Sequence, residues 1–252
     1  MKPVAVLRLQ VDPHTMSSAL AACQQLLLRP HPGYVCLANV HMCMEAWDQP
    51  DFAALVNQAA LVLADGRPVY WAQRLLLPAS SPPTEQIRGV DFVQAICAMA
   101  AQQQIPLGLY GGSDDALLAR LEQQLCDQYP GLQVVYRYAP PFRVLTEQER
   151  LAVHQAISDA GVQLLLVGLG CPKQERWMAD AAALPVLMCG VGAAFDFLAG
   201  ARAEAPRWMQ TTGLEWLHRW WHEPVRLSWR YLKHNPRFML LFFWQWIRGK
   251  LQ

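Results

Sequence analysis

Short apolar runs alternate with longer amphipathic stretches along most of the chain. Residues 34–38, 61–64, 107–110, 132–136, 162–167 and 186–189 are apolar almost throughout. Runs of this length without polar alternation predict strands covered on both faces. The stretches 15–28, 51–59, 69–77, 91–103, 114–127, 146–160 and 174–183 predict helices. Ser113 ahead of Asp114 and Asp115 is a helix-start signal with acids in the first turn, and Thr146 with Glu149 is a capping box. The 78–84 segment, PASSPPT, predicts a surface loop within the alternating region. Strand and helix in alternation predict an α/β fold, a mostly parallel sheet with helices on both faces. After Gly200 no further strand pattern follows. Helix-like segments broken by Pro206, Pro224 and Pro236 take over, so the chain divides into a core over 1–200 and a helical appendage over 201–252.

Composition sharpens that division. Of the 252 residues, 53% are hydrophobic and only 16% charged, which excludes intrinsic disorder. A formal net charge of +1 argues against a strongly basic nucleic-acid binder. The average conceals a split: residues 201–252 hold nine Lys/Arg against three Asp/Glu, while 1–200 hold twelve against seventeen. Seven of the ten Trp lie in the same last fifth. Arg219, Arg226, Arg230, Lys233 and Arg237 are spaced for one helix face, which Pro224 and Pro236 must bend or break. A basic face beside Trp fits an interfacial membrane element or an anion-binding flap; a packed helix with a solvated basic side is the plain alternative. The apolar stretch 238–247 is interrupted by Gln245 and falls short of the roughly 18–20 residues a spanning helix needs. The N-terminal segment lacks the features of a signal peptide. Seven scattered Cys without a Cys-x-x-Cys point to a reducing cytosol rather than a disulfide or zinc framework.

In open α/β sheets ligands bind beyond the carboxyl ends of strands, so the residues after each apolar run are the candidates for chemistry. Three such turns carry glycines: Gly111-Gly112-Ser113, Gly168-Leu169-Gly170-Cys171-Pro172-Lys173, and Gly190-Val191-Gly192 leading to Asp196. Together they favour a phosphate-bearing ligand held on helix N-termini, although each alone is explained by a tight turn. The dinucleotide and Walker A fingerprints are not met. Lys173 would add a point charge on a phosphate. Asp65 follows the 61–64 run and precedes Gly66. A dry carboxyl there would have a raised proton affinity and act as a base, whereas Asp-Gly is also a common turn pair. Asn39 and His41 occupy an equivalent end. Asn39 would bond a sugar hydroxyl, and His41 is a base or a structural histidine. With no Gly-x-Ser-x-Gly, His-Glu-x-x-His or Asp-x-Asp pattern, neither a metal nor a cofactor is expected.

The stretches LANVHM (37–42), LVLADGRPVYWA (61–72), GVDF (89–92), LYGGS (109–113), VGLGCPKQERW (167–177), GVGAAFDFLAG (190–200), APRWMQTTGLEWLHRW (205–220) and EPVRLSWRYLKHNPRF (223–238) resemble the WecG/TagA/CpsF glycosyltransferases. The resemblance implies a Rossmann-like core and an inverting, metal-independent transfer of a sugar from a UDP donor to a sugar on an undecaprenyl-pyrophosphate carrier. It implies a peripheral place on the cytoplasmic face of the inner membrane, with an oligomer allowed. Asp65 matches the general base and Gln174 an active-site glutamine. Asn39, Tyr110, Gly111, Gly112, Gly168, Gly170, Lys173, Gly192 and Asp196 are the donor-site candidates. Arg88, Arg207, Arg219, Arg226 and Arg230 are the candidates for the acceptor's pyrophosphate. The chain departs from the family in one place: where an Arg is usual it has Gln86, with Arg88 two residues on. That departure, with the Trp-rich tail, leaves a non-catalytic, membrane-docked nucleotide-sugar-binding scaffold as the alternative.

Overall fold

The computed structural model describes residues 2–250, apart from the side chains of Arg226 and Lys250. Eight strands run in the order β1 (Val4–Val6), β2 (Leu9–Val11), β3 (Tyr34–Ala38), β4 (Leu61–Ala64), β5 (Leu107–Gly111), β6 (Val134–Tyr138), β7 (Leu164–Gly168) and β8 (Leu187–Gly190). The helices interleaved with them are α1 (Met16–Leu27), α2 (Val40–Asp48), α3 (Pro50–Asn57), α4 (Arg67–Leu76), α5 (Gly89–Gln103), α6 (Asp115–Gln128), α7 (Glu147–Asp159) and α8 (Lys173–Asp180). Four more follow: α9 (Ala194–Leu198), α10 (Arg207–Thr212), α11 (Glu215–His222) and α12 (Pro224–Lys250). Strands β3 to β8 form one six-stranded parallel sheet in the order β4-β3-β8-β7-β5-β6.

Both sheet faces are covered, as unbroken apolar strands require. Val35, Leu37, Leu61 and Leu63 point to a core shared with α1, α5, α6 and α9. Their neighbours Tyr34, Cys36, Ala38, Val62 and Ala64 point to a second core shared with α2, α3, α4, α7 and α8. The chain therefore leaves β3 toward one face and β8, its neighbour in the sheet, toward the other. Strand ends part at such a point and leave a crevice. The antiparallel β1–β2 hairpin carries Asp12 at its end, whose N–H donates to the Val62 carbonyl (2.7 Å) while its carboxylate accepts from the Val62 N–H (2.8 Å). These bonds shield the open edge of β4.

Three expectations change. The cap of α6 is Asp114, whose carboxylate accepts from the Leu117 N–H at 2.8 Å, while Ser113 only donates to that carboxylate. Pro236 does not break α12, which runs continuously from Pro224. Arg219 lies on α11, so the basic positions fall on two helices rather than one face. The appendage is also not packed apart from the core. Phe238 and Phe242 of α12 are buried in the second core, and Gln245 bonds to both Leu7 N–H and the Ala5 carbonyl of the hairpin. The Thr146–Glu149 capping box forms as expected.

Candidate active site

A cavity of about 430 Å³ opens at the carboxyl ends of β3, β4, β7 and β8 and is closed over by residues of α10, α11 and α12. Asp65 lies in its wall at the end of β4. The Asp65 and Gly66 N–H groups both donate to the Ala38 carbonyl, at 2.9 and 3.2 Å, so the ends of β3 and β4 are tied together. One carboxylate oxygen of Asp65 accepts from the Gly89 N–H at the start of α5 (2.9 Å). Burial pushes its pKa up to about 6, and the Glu215 carboxylate adds to this; the Gly89 N–H, Arg219 and Arg88 work in the opposite direction. A carboxylate of that basicity is mostly ionised near neutrality and binds a proton well.

Gln174, in the first turn of α8, is buried against the cavity. Its Oε1 accepts from the Gly170 N–H (3.1 Å) and its Nε2 donates to Glu175 Oε1 (2.8 Å), so its amide orientation is fixed. Glu175 is completely buried, and burial raises its pKa, which the Gln174 amide partly offsets. Asn39 caps α2 through Oδ1 to the Met42 N–H (3.2 Å), which leaves its amide nitrogen as the donor for a ligand. Asn39, Gly170 and Gly192 line the same cavity.

The arginines separate into groups. Arg219 and Arg230 line the cavity, and so does Arg67, which also donates to the Gln210 carbonyl (3.1 Å). Arg207 faces an adjoining hollow that shares Arg67, Gln86 and Arg88 as walls. Arg226 lies outside the described side chains. Arg88 differs from expectation. It is buried, and its guanidinium is held by Asp91 (2.9 Å), Glu204 (3.3 Å) and both oxygens of Glu215 (3.1 and 3.3 Å). Its charge is already met by three carboxylates, so it serves as a clamp on α11 rather than a free anion site. Gln86 donates from Nε2 to the Asp65 carbonyl (2.6 Å) and so steadies the base through its backbone.

A family model described as "Glycosyl transferase WecG/TagA/CpsF family" matches residues 4–252. The chain belongs to this family. It is thus a glycosyltransferase, and the family builds cell-surface polymers.

In this transferase several donor-site candidates stand away from the cavity. β7 lies between β5 and β8, so the turn after β5 is carried beyond the crevice. Tyr110 is buried in the second core, its ring stacked on Trp177 with centroids 4.2 Å apart. Gly111 and Gly168 meet backbone to backbone, and Gly112 N–H donates to the Gly168 carbonyl (3.0 Å). A Cβ on Gly111 would lie 2.5 Å from the Gly168 carbonyl carbon, and its φ of +125° suits only glycine. These glycines serve strand packing in this structure. Gly111→Ala is expected to lower stability by at least about 1–3 kcal/mol, the usual cost of overpacking, read as a reduced urea midpoint. Lys173 is exposed at the start of α8, and Asp196 is paired with Arg202 (3.0 Å); neither lines the cavity.

Other cavity residues carry little signal of their role in the sequence. Arg67 sits two positions after Asp65, so a cation in the same strand-end turn is the one available cue. Glu215 and Trp216 come from α11 and Tyr231 and His234 from α12. Nothing local in the sequence brings them to Asp65.

Proposed function

We propose that this transferase moves a sugar, with inversion at its anomeric carbon, from a UDP donor to a sugar on an undecaprenyl-pyrophosphate carrier. It does so at the cytoplasmic face of the inner membrane and without a metal on the donor. The observation that carries the reading is the basic, partly buried Asp65 carboxylate in a cavity whose other walls include Arg67, Arg219 and Arg230. An acceptor hydroxyl gives its proton to Asp65 as its oxygen bonds to the anomeric carbon. The bond from that carbon to the UDP oxygen breaks, and UDP leaves with the electron pair. Cationic side chains meet the charge on the leaving group and on the lipid pyrophosphate. The fixed Gln174 amide and the free Asn39 amide nitrogen orient the sugars.

The test is a panel of UDP-sugars with a short-chain lipid-pyrophosphoryl-sugar acceptor and no added metal, read by mass spectrometry. One added sugar with equimolar UDP is expected, and the product's anomeric coupling constant gives inversion. Binding of UDP-sugars without transfer from any of them would favour the scaffold alternative instead.

Membrane association is supported by the exposed aromatic side chains Trp221, Trp229 and Trp244 on α11 and α12, the helices that carry the basic positions, and by exposed Trp208 on α10. Among the described residues no helix is long and apolar enough to cross a membrane. Deleting the tail after Gly213 would strip Phe238 and Phe242 from the core, so point variants are the cleaner test. Burying one large apolar side chain is worth about 1.5–3 kcal/mol. The double variant Trp221→Ser/Trp229→Ser is therefore expected to bind anionic vesicles at least about tenfold more weakly, with an unchanged melting temperature. Equal sedimentation with vesicles would count against the membrane role.

A further inference from the structure

Three potential ligands meet where the tail crosses the core. His41 and Glu45 stand one helical turn apart on α2, and His234 comes from α12. Each offers one ligand atom, and these atoms lie within 4.8 Å of one another. His41 Nδ1 is 3.8 Å from Glu45 Oε1. His234 is 5% exposed, and the Nδ1 atoms of both histidines are buried without a hydrogen-bond partner. A buried ring nitrogen left unpaired costs free energy, and two of them on histidines grouped with one carboxylate call for a reason. His41 Nδ1 is buried and accepts and donates no hydrogen bond, so its position toward Glu45 is open to a ligand bond. Gln49 donates to Glu45 Oε2 (2.8 Å) and leaves Oε1 toward the histidines. A carboxylate held through one oxygen by a neighbouring amide, with the other turned toward two imidazoles, is the kind of outer support metal sites use.

We propose that His41, Glu45 and His234 bind a divalent cation of the zinc class, which staples α12 to α2 across the rim of the active-site cavity. Two imidazoles and one carboxylate suit zinc and leave a fourth tetrahedral position for water. With bonds of about 2.0–2.1 Å, tetrahedral ligands stand about 3.3 Å apart, so the side chains draw together by roughly an ångström on binding. Burial, with Arg230 and Lys233 acting on His41 and with His41 and Lys233 acting on His234, pushes both imidazoles down to about 4. Both rings are therefore neutral at pH 7, the form that binds metal. Of the nearby cations, Arg237 is already paired with Asp48 (2.6 Å). The ion's part is to hold the tail in place at the cavity wall that His41 and His234 line.

The test uses the full chain, stripped with a chelator and titrated with zinc. Calorimetry should give one equivalent bound, with a saturating rise in melting temperature. Cobalt in place of zinc should give the intense visible bands of a tetrahedral site. Glu45→Gln and His234→Gln, each checked for folding by circular dichroism, should each lose at least about tenfold in zinc affinity and lose the cobalt bands. Binding of zinc by both variants as tightly as by the parent would place the metal elsewhere, on one of the seven cysteines for example, and overturn the proposal. Absence of zinc binding by the parent chain would overturn it equally. Because Glu45 does not line the cavity, its variant keeps the test readable if His234→Gln fails to fold.

Discussion

Asp65→Asn is expected to lower turnover by about 10²–10⁴-fold, the range a general base contributes, while UDP binding stays near normal. The amide keeps the carboxylate's shape and can still accept from the Gly89 N–H, and the bonds that tie the ends of β3 and β4 are backbone ones that the substitution leaves alone. The variant is also expected to be more stable than the parent at neutral pH. The folded-state pKa of Asp65 is raised from 3.8 to about 6, so folding favours the protonated carboxyl. Its favourable contribution is complete below pH 3.8 and is lost as pH rises through about 6. At pH 7 the ionised Asp65 therefore costs the fold on the order of 3 kcal/mol, a cost that the neutral amide avoids. The same sign governs catalysis: kcat/KM of the parent should fall about tenfold per pH unit below about 6, and this limb should vanish in the variant. Unchanged turnover in Asp65→Asn would remove Asp65 from the mechanism.

The position of that base is legible in the amino-acid sequence. The six apolar runs form the six sheet strands because nothing but burial on both faces explains an unbroken apolar strand. A polar residue directly after such a run must stand at a strand end, and this places Asp65. Strand order, in contrast, is not written locally. The glycine turn after β5 looks like the turns after β7 and β8, yet β7 separates it from the crevice, and Tyr110 is core. Helix α2 escapes a pattern reading because Asn39 caps it directly at the end of β3, with no loop to mark the change. Pro236 has the sequence signature of a break, but Phe238 and Phe242 beyond it are buried and hold α12 on its course. The contacts of Arg88 with Glu204 and Glu215, and the His41–His234 meeting, join residues more than a hundred positions apart, and only the tertiary fold brings them together.

Arg88→Ala is expected to produce the largest loss of stability and to unfasten the tail from the core. The guanidinium joins Asp91 in the first turn of α5 to Glu204 and Glu215, which lie beyond Gly200. Burial alone would depress its pKa, but the Glu215 hydrogen bonds and the Glu215 and Asp91 charges raise it well above the usual range. Removing one partner of a buried ion pair typically costs about 3–5 kcal/mol, because the other charge is left uncompensated. Here the three carboxylates are between 27% and 37% exposed, so water takes up part of the loss and the lower end, about 3 kcal/mol, applies. The urea midpoint should drop accordingly, and limited proteolysis should cut first between residues 200 and 222. Asp65 reports the same event: with Arg88 gone and Glu215 unneutralised, its pKa should rise further, moving the acid limb of kcat/KM to higher pH. The double variant Arg88→Met/Glu215→Leu should recover part of the stability, since the least exposed of the three carboxylates is then removed with its partner and only Asp91 and Glu204 stay uncompensated. If Arg88→Ala unfolds at the parent's urea concentration and shows the parent's cleavage pattern, the clamp is not what holds α11 over the cavity.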